Sequence, residues 1–508
     1  MPKKSKSIIQ EFAELKNFTI DAPSVHLLSY LYCMKNRVVI LNKVDPANSN
    51  PVNVGLANIN NELLIEEIKS ILNREIIPVR LNDFEIHKAL KIGFYLEEEG
   101  VSFRLKLKPA DEASNSPDAT MVEVLNEIMG LAARLQATDI HIERYEDDVD
   151  VRFRIDGILH QITTSLNPES IAEAISRLKV LAGLDIVERR HAQDGRIIAL
   201  YKEGGVERNI DFRLAVIPGP FGEDAVMRIL DSAKPFIGLK KLSLSPEVHE
   251  LFGNLVSNPE GMILVTGPTG SGKTTTLYSV LHDIQSIDKK ILTVEDPIEY
   301  TFDKVNQKQV SEAMGFAEYA RAFLRQNPDI MLIGEIRDEE TAAVAFRAAY
   351  TGHLVLSTMH TNDAVRTISR LQTLKIDSNL IAGTLLGALA QRLLRTLCQN
   401  CLYETPPDER EKLYFGLKSN DTKFHKSHGC DKCDGIGFKG RIGIYELFVP
   451  DEELSDMIAC EKPVHEIRHR ALQKGMKSLL TDGLEKARQG LTSLAEIRRL
   501  VPYRHIIE

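Results

Sequence analysis

The chain has 508 residues, 43% hydrophobic and 27% charged, a composition ordinary for globular protein and a length that needs more than one core. Its net charge of −9 argues against coating nucleic acid through a broad basic face, and no apolar stretch reaches the ~20 residues that cross a bilayer. The basic start, Met1 to Lys6, runs into mixed polar sequence rather than the apolar core of a secretory signal, so the chain reads as cytoplasmic.

Residues 1–98 mix two patterns: 37–41 read as a strand, and 62–72 repeat apolar residues at helical spacing. No catalytic constellation stands out there, and Cys33 reads as a small core residue. Residues 108–117, rich in Pro, Ser, Asn and acid, read as linker. A helix follows, with Met121, Val124, Leu125, Ile128, Leu131, Ala132 and Leu135 on one face. Residues 149–155 then alternate. Val149, Val151, Phe153 and Ile155 share one side of a strand, Arg152 and Arg154 the other, and Asp156-Gly157 signals a hairpin turn. This second domain is expected to end near Pro235.

From Leu239 onward strand and helix signals alternate: strand 262–266, helix 273–285, strand 290–294, helix 316–326, strand 330–333, helix 338–350, strand 354–357. That order predicts an α/β domain with a mainly parallel sheet, helices on both faces and ligand at the carboxyl ends of the strands. Residues 381–390 read as a buried helix, Cys460 as core, and the last ~65 residues as mainly helical with solvated faces.

One loop carries the chemistry. Gly267, Pro268, Thr269, Gly270, Ser271, Gly272, Lys273 and Thr274 spell G-x-x-x-x-G-K-T between a strand and a helix. Glycines let backbone N–H groups turn toward phosphate oxygens, and the helix start adds partial positive charge. Lys273 is expected to reach the β- and γ-phosphates, and the Thr274 hydroxyl to ligate Mg²⁺. ATP or GTP is the predicted ligand.

Acids follow at later strand ends: Glu295, expected to contact the nucleotide, and Glu299 after the second, Glu335 after the third, where Gly334 stands in place of the usual Asp. Either Glu299 or Glu335 would align water, and the other would hold Mg²⁺ through its hydration shell. His353 and His360 flank the fourth strand, and His360 sits where a γ-phosphate sensor belongs. Four of the six cysteines form two C-x-x-C pairs, Cys398 with Cys401 and Cys430 with Cys433. Four thiolates make a closed, structural Zn²⁺ site with no position left for catalysis.

With the loop, the segments 295–299, 334–338 and 351–361 resemble the secretion-superfamily ATPases, and more narrowly those of type II secretion and type IV pilus assembly. That family carries a Walker A loop, an Asp box, an atypical Walker B strand and a His box in this order. The likeness extends through 138–143, 152–157, Gln193 to Arg196, Gly222-Glu223 with Arg228, the cysteine pairs and 440–446; it is specific over about 120–450 and loose over the first hundred residues. Three departures stand out: Asn327 where Asp is usual, Arg144 for Pro, and His191-Ala192 for Arg-Pro.

The resemblance implies a RecA-like ATPase domain over 236–508, including a zinc lobe at 396–440 and a helical region at 441–508. A PAS-like α+β domain at 119–235, a linker at 99–118 and an α/β partner-docking domain at 1–98 precede it. It implies a hexamer with ATP between the second and the RecA-like domain, where Arg213 and Arg228 neutralise the γ-phosphoryl group; such an arginine contributes ~10³–10⁵ in rate. Arg321 and Arg325 are the second choice. It further implies a polytopic inner-membrane platform protein, a membrane recruiting protein whose cytoplasmic domain binds the amino-terminal domain, and peripheral membrane association through these partners. Retraction ATPases lack the amino-terminal domain and the cysteine pairs, which favours assembly, with a slight lean to pilus biogenesis over secretion. A DNA-uptake or nucleic-acid translocation motor is the alternative, disfavoured by the acidic charge and the lack of basic–aromatic strips; no direct nucleic-acid partner is expected. A scaffold that binds ATP without hydrolysing it is disfavoured by the intact glutamates. The Arg-Leu-Gly motif by which some relatives bind a cyclic dinucleotide is not found.

Overall fold

In a computed structural model, residues 15, 18–28, 30–45, 48, 50–82, 85–86, 88–90, 102–105, 118–203, 206–231, 238–418, 421, 423–433 and 435–501 are described. Two compact units emerge, Met1–Ala233 with His428–Phe438, and Lys234–Ser427 with Lys439–Glu508. The polar segment 108–117 and the boundary near Pro235 lie outside the described residues.

The first unit holds two sheets. Strands β1 (Val38–Ile40), β2 (Val52–Leu56) and β3 (Ile76–Arg80) form the smaller one. Helix Glu62–Leu72 makes the crossover between β2 and β3, which are parallel. Asn61 caps it by accepting from the Leu64 N–H, Leu64 and Ile68 are buried on its core face, and Asn73 in left-handed geometry ends it. Cys33 is fully buried as expected, and burial pushes its thiol pKa up.

The larger sheet runs in the order β4 (Ser102–Leu105), β8 (Gln193–Glu203), β9 (Val206–Gly219), β10 (Gly222–Asp231), β5 (Asp139–Arg144), β6 (Val149–Ile155), β7 (Ile158–Ile162). Every pair in it is antiparallel. β4 lies inside the span expected to be linker and pairs with β8, so backbone pairing rather than composition decides that stretch. The alternation in β6 holds: Val151 and Phe153 are buried while Arg152 and Arg154 face the other way. Asp156 and Gly157, at φ of 48° and 85°, make the left-handed turn that the right-handed strand twist favours.

The second unit is built on a seven-stranded sheet in the order β13 (Asn306–Gln309), β12 (Ile291–Glu295), β14 (Ile330–Ile333), β15 (Leu354–Met359), β11 (Gly261–Thr266), β16 (Leu385–Leu397), β19 (Phe438–Phe448). The six strands from β13 to β16 pair in parallel, and β11, β12, β14 and β15 are buried throughout. Met262 and Leu264 pack with Ala345 and Phe346 of helix Glu339–Tyr350, whereas Ile263 and Val265 pack with Phe252 and Leu277 of helices Pro246–Val256 and Lys273–Ile284. Helices therefore cover both faces. β17 (Leu402–Thr405) and β18 (Phe424–Ser427) form a separate antiparallel pair.

Two expectations fail here, and a third, the mainly helical end of the chain, holds apart from its first strand. Residues 381–390 are not one helix: helix Ser378–Thr384 gives way to β16. An unbroken apolar run fits a buried helix or a buried strand equally, and the place between β11 and β19 selects the strand. The region from 441 opens with β19, and the helices Glu452–Ala459, Val464–Gln473, Leu479–Arg488 and Leu494–Leu500 come after it. Cys460 is exposed, because helix Glu452–Ala459 ends just before it and buries Leu454 and Ile458 instead. Among the described residues no helix is long and apolar enough to cross a membrane.

Candidate active site and metal centre

β11 hands the chain to the glycine loop at Gly267. A Cβ there would stand 2.6 Å from the Gln391 carbonyl oxygen, so glycine is required by space as well as by its φ of 152°. Gly272, at φ 89°, turns the chain into helix Lys273–Ile284. Lys273 folds over the loop, its Nζ donating to the carbonyls of Gly267 at 2.9 Å and Pro268 at 3.2 Å. Burial lowers its pKa from the ordinary lysine value, Glu335 counteracts this, and Arg392 adds to the lowering.

The strand order sets β15 beside β11 and β14 beside β15, which brings the His360 and Glu335 segments together. His360 Nε2 lies 2.9 Å from Glu335 Oε1, and Arg337 Nε donates to Glu335 Oε2 at 2.7 Å. Lys273, Glu335 and His360 thus form one cluster, as strand-end chemistry predicts. Gly334 has a structural reason: its N–H donates to the Val294 carbonyl at 2.8 Å, and a Cβ would sit 3.1 Å from that oxygen. The other predicted histidine is structural, His353 Nδ1 lying 3.0 Å from the Ala348 carbonyl at the end of helix Glu339–Tyr350.

Glu295, expected among the nucleotide contacts, is turned into the protein. It is 4% exposed and accepts from Thr293 Oγ1 at 2.6 Å, from Gln307 Nε2 at 3.1 Å and from the Tyr278 hydroxyl. With both oxygens held, it anchors the segment between β12 and β13. Tyr278 also accepts from the Glu299 N–H at 3.2 Å, so a tyrosine on the helix after the loop positions the exposed glutamate of the Asp box. Burial, with Glu295 beside it, pushes the Tyr278 pKa up and keeps the hydroxyl protonated. Motif reading missed Tyr278. Its signal was a tyrosine on a buried helix, whose hydroxyl needs a partner.

Arg321 and Arg325 are not brought to the cluster. Arg321 pairs with Glu340 at 2.7 Å, and Arg325 donates to the Arg321 carbonyl. Asn327 takes φ 50°, a left-handed position that asparagine tolerates well. In the first unit Arg213 and Arg228 are direct cross-strand neighbours, and the register extends the row: Arg196, Arg213, Arg228, Asp139 and Arg154 lie opposite one another on β8, β9, β10, β5 and β6. Arg228 Nε donates to Asp139 Oδ1 at 3.2 Å, and Arg196 Nε to Asp211 at 2.6 Å. Four guanidinium groups on one face repel each other, and the carboxylates of Asp139 and Asp211 among them counteract this. Arg144 donates its backbone N–H to Asp224 at 2.7 Å, a bond that proline could not make. His191 is exposed and pairs with Glu188 at 3.0 Å.

The four paired cysteines converge, with all Sγ atoms within 4.8 Å of one another and Cys430 and Cys433 at 3.8 Å. Tetrahedral Zn–S bonds of about 2.3 Å put sulfurs about 3.8 Å apart, so the set fits zinc. The backbone N–H groups of Cys430 and Gly437 donate to the Cys433 sulfur, which favours a thiolate there.

Residues 114–499 match the family described as Type II/IV secretion system protein. The chain belongs to this family of secretion and pilus ATPases. It is 43% identical over 394 residues to the type II secretion system ATPase E of Vibrio cholerae, covering 77% of each chain. It is 38% identical over 505 residues to the type IV pilus assembly ATPase PilB of Myxococcus xanthus, covering 95% of this chain and 87% of that one. The PilB of Thermus thermophilus is 40% identical over 478 residues; the match takes in 91% of this chain but about half, 52%, of that relative. Among solved structures, the pilus retraction motor PilT with bound ADP is 30% identical with a TM-score of 0.50, over 74% of this chain and 96% of that one. The Legionella pneumophila ATPase DotB, at 23% identity, matches the fold with a TM-score of 0.55 over 80% of this chain and 99% of that one. The parallel sheet of this secretion ATPase is accordingly RecA-like.

Proposed function

We propose that this chain is the hexameric cytoplasmic motor of a pilin-type assembly machine, converting ATP hydrolysis into polymerisation of pilins or pseudopilins at the inner membrane. The observation that supports this best is the convergence of Lys273, Glu335 and His360 beside the glycine loop. Lys273 would hold the β- and γ-phosphates and Thr274 the Mg²⁺. Glu335, gripped by His360 and Arg337, would orient the attacking water, and Glu299, fixed through Tyr278, would hold the metal's hydration shell. Arg213 and Arg228 would neutralise the transferring phosphoryl group across a protomer interface, the domain at 119–235 carrying them. Residues 1–98 would dock the membrane recruiting protein, and a polytopic platform protein would receive the motion. Relatives named for pilus assembly and for type II secretion both match over most of the chain.

The test is genetic and enzymatic together. Lys273→Ala should abolish ATP turnover of the purified protein, and deletion of the gene should remove surface filaments or secreted enzymes. Wild-type filaments and secretion in a strain carrying only Lys273→Ala would refute the motor reading; which of the two is lost separates pilus assembly from secretion.

A further inference from the structure

The phosphate loop rests on a glutamine that no motif contains. β16 runs parallel to β11, with Ala390 opposite Thr266, so the next residue, Gln391, lies beneath the loop as it leaves the strand. Gln391 is 1% exposed. Its Nε2 donates to the Ser271 carbonyl at 2.7 Å, and its Oε1 accepts from Thr276 Oγ1 at 2.8 Å. One carboxamide therefore ties the crest of the loop to the first turn of the helix. Its Nε2 also stands 3.2 Å from where a Gly272 Cβ would be, a tight contact that adds to the preference for glycine set by the φ of 89°. The Ser271 hydroxyl is buried with no partner among the described residues, and the residue is held through its backbone, by the Gln391 bond to its carbonyl and by its own N–H donating to the Pro268 carbonyl at 3.3 Å.

Direction follows from the peptide plane. In a trans peptide the C=O and the following N–H point opposite ways. Drawing the Ser271 carbonyl toward β16 aims the Gly272 N–H away from β16, to the side where the loop's amides gather around an anion. Gln391 is itself held. Arg392, 4% exposed, donates to the Gln391 carbonyl at 3.0 Å and to the Asn362 carbonyl at 2.9 Å, two residues beyond His360. Burial lowers the Arg392 pKa, the buried carboxylates of Asp363 and Glu446 counteract this, and Arg468 grips Glu446 through bonds of 2.9 and 3.1 Å.

We propose that Gln391 is a positioning residue for triphosphate binding, fixing the Ser271–Gly272 peptide so that its N–H faces the phosphates, with Arg392 linking this floor to the segment after His360. The proposal rests on the reading of 267–274 as the nucleotide site.

Gln391→Glu keeps the shape and the acceptor for Thr276 but, when ionised, sets a carboxylate oxygen against the Ser271 carbonyl. Its ATP affinity, measured by calorimetry on the full chain, should fall at least tenfold at pH 8 relative to wild type. It should recover toward wild type near pH 5.5, where the protonated acid donates again. Gln391→Met, close in volume, should lose affinity equally at both pH values, with KM rising and kcat at saturation within a few-fold of wild type. Wild-type affinity in Gln391→Met, or a loss in Gln391→Glu that ignores pH, would overturn the proposal. If Gln391→Glu fails to fold, Gln391→Met decides alone. Lys273→Ala, run in parallel, separates the two readings: undiminished ATP affinity there removes the nucleotide site itself, whereas its loss beside intact Gln391 variants removes only Gln391.

Discussion

The glycine loop and the arginine row use charge in opposite ways. The loop collects eight consecutive residues in the short chain between strand and helix, with Gln391 bracing it from β16. The row gathers Arg196, Arg213, Arg228, Asp139 and Arg154 from five strands, and only sheet register aligns them. A contiguous device survives small errors elsewhere in the fold. An assembled one is lost if a single strand slips by one residue, because every side chain on it then changes face. The cysteine cluster and the Glu496–Arg395 pair, 101 residues apart in sequence, are assembled in the same sense.

The strongest way to break this contrast is to remove what holds an assembled device. Chelating zinc, which contributes about 10–16 kcal/mol to such sites, should melt the cysteine lobe while the sheet around the loop stays folded. Atomic absorption finding no zinc in cleanly purified, folded protein would remove the metal site. Next, Arg213→Ala or Arg228→Ala should lower turnover about 10³-fold or more with nucleotide affinity within a few-fold, whereas Lys273→Ala should lose both. Turnover at the wild-type rate in both arginine variants would take the row out of the mechanism.

Glu496 sharpens the comparison by pH. Burial raises its pKa, but hydrogen bonds from Arg395 and Arg499 outweigh burial and bring it from 4.5 down to about 2. A carboxylate depressed by folding adds stability in full above about pH 4.5 and loses it as pH falls toward about 2. Glu496→Gln should therefore cost about 3 kcal/mol near neutrality and almost nothing at the acid end. A denaturant midpoint that differs equally at both ends would contradict the pairing. The smallest effect is expected at Tyr278. Tyr278→Phe frees Glu299 and should lower kcat about tenfold with KM nearly unchanged, the mark of a lost positioning bond. A change in KM alone would assign Tyr278 to packing.

Sequence alone determined the loop, the parallel order of strands and helices, the strand-end acids and the cysteine pairs. Each of these is written in local spacing, and local spacing follows from dihedral periods of two and 3.6 residues. It did not determine whether 385–397 is helix or strand, since an apolar run carries neither period. Nor could it show that Glu295 turns inward while Glu335 meets His360, because both acids lie at a strand's carboxyl end and the donors beside them are set by the sheet order. Tyr278, Gln391 and the alignment of the arginine row were equally hidden, for their partners lie 15 to 120 residues away along the chain. Contacts over such separations are chosen by packing and register, which exist only once the chain has folded.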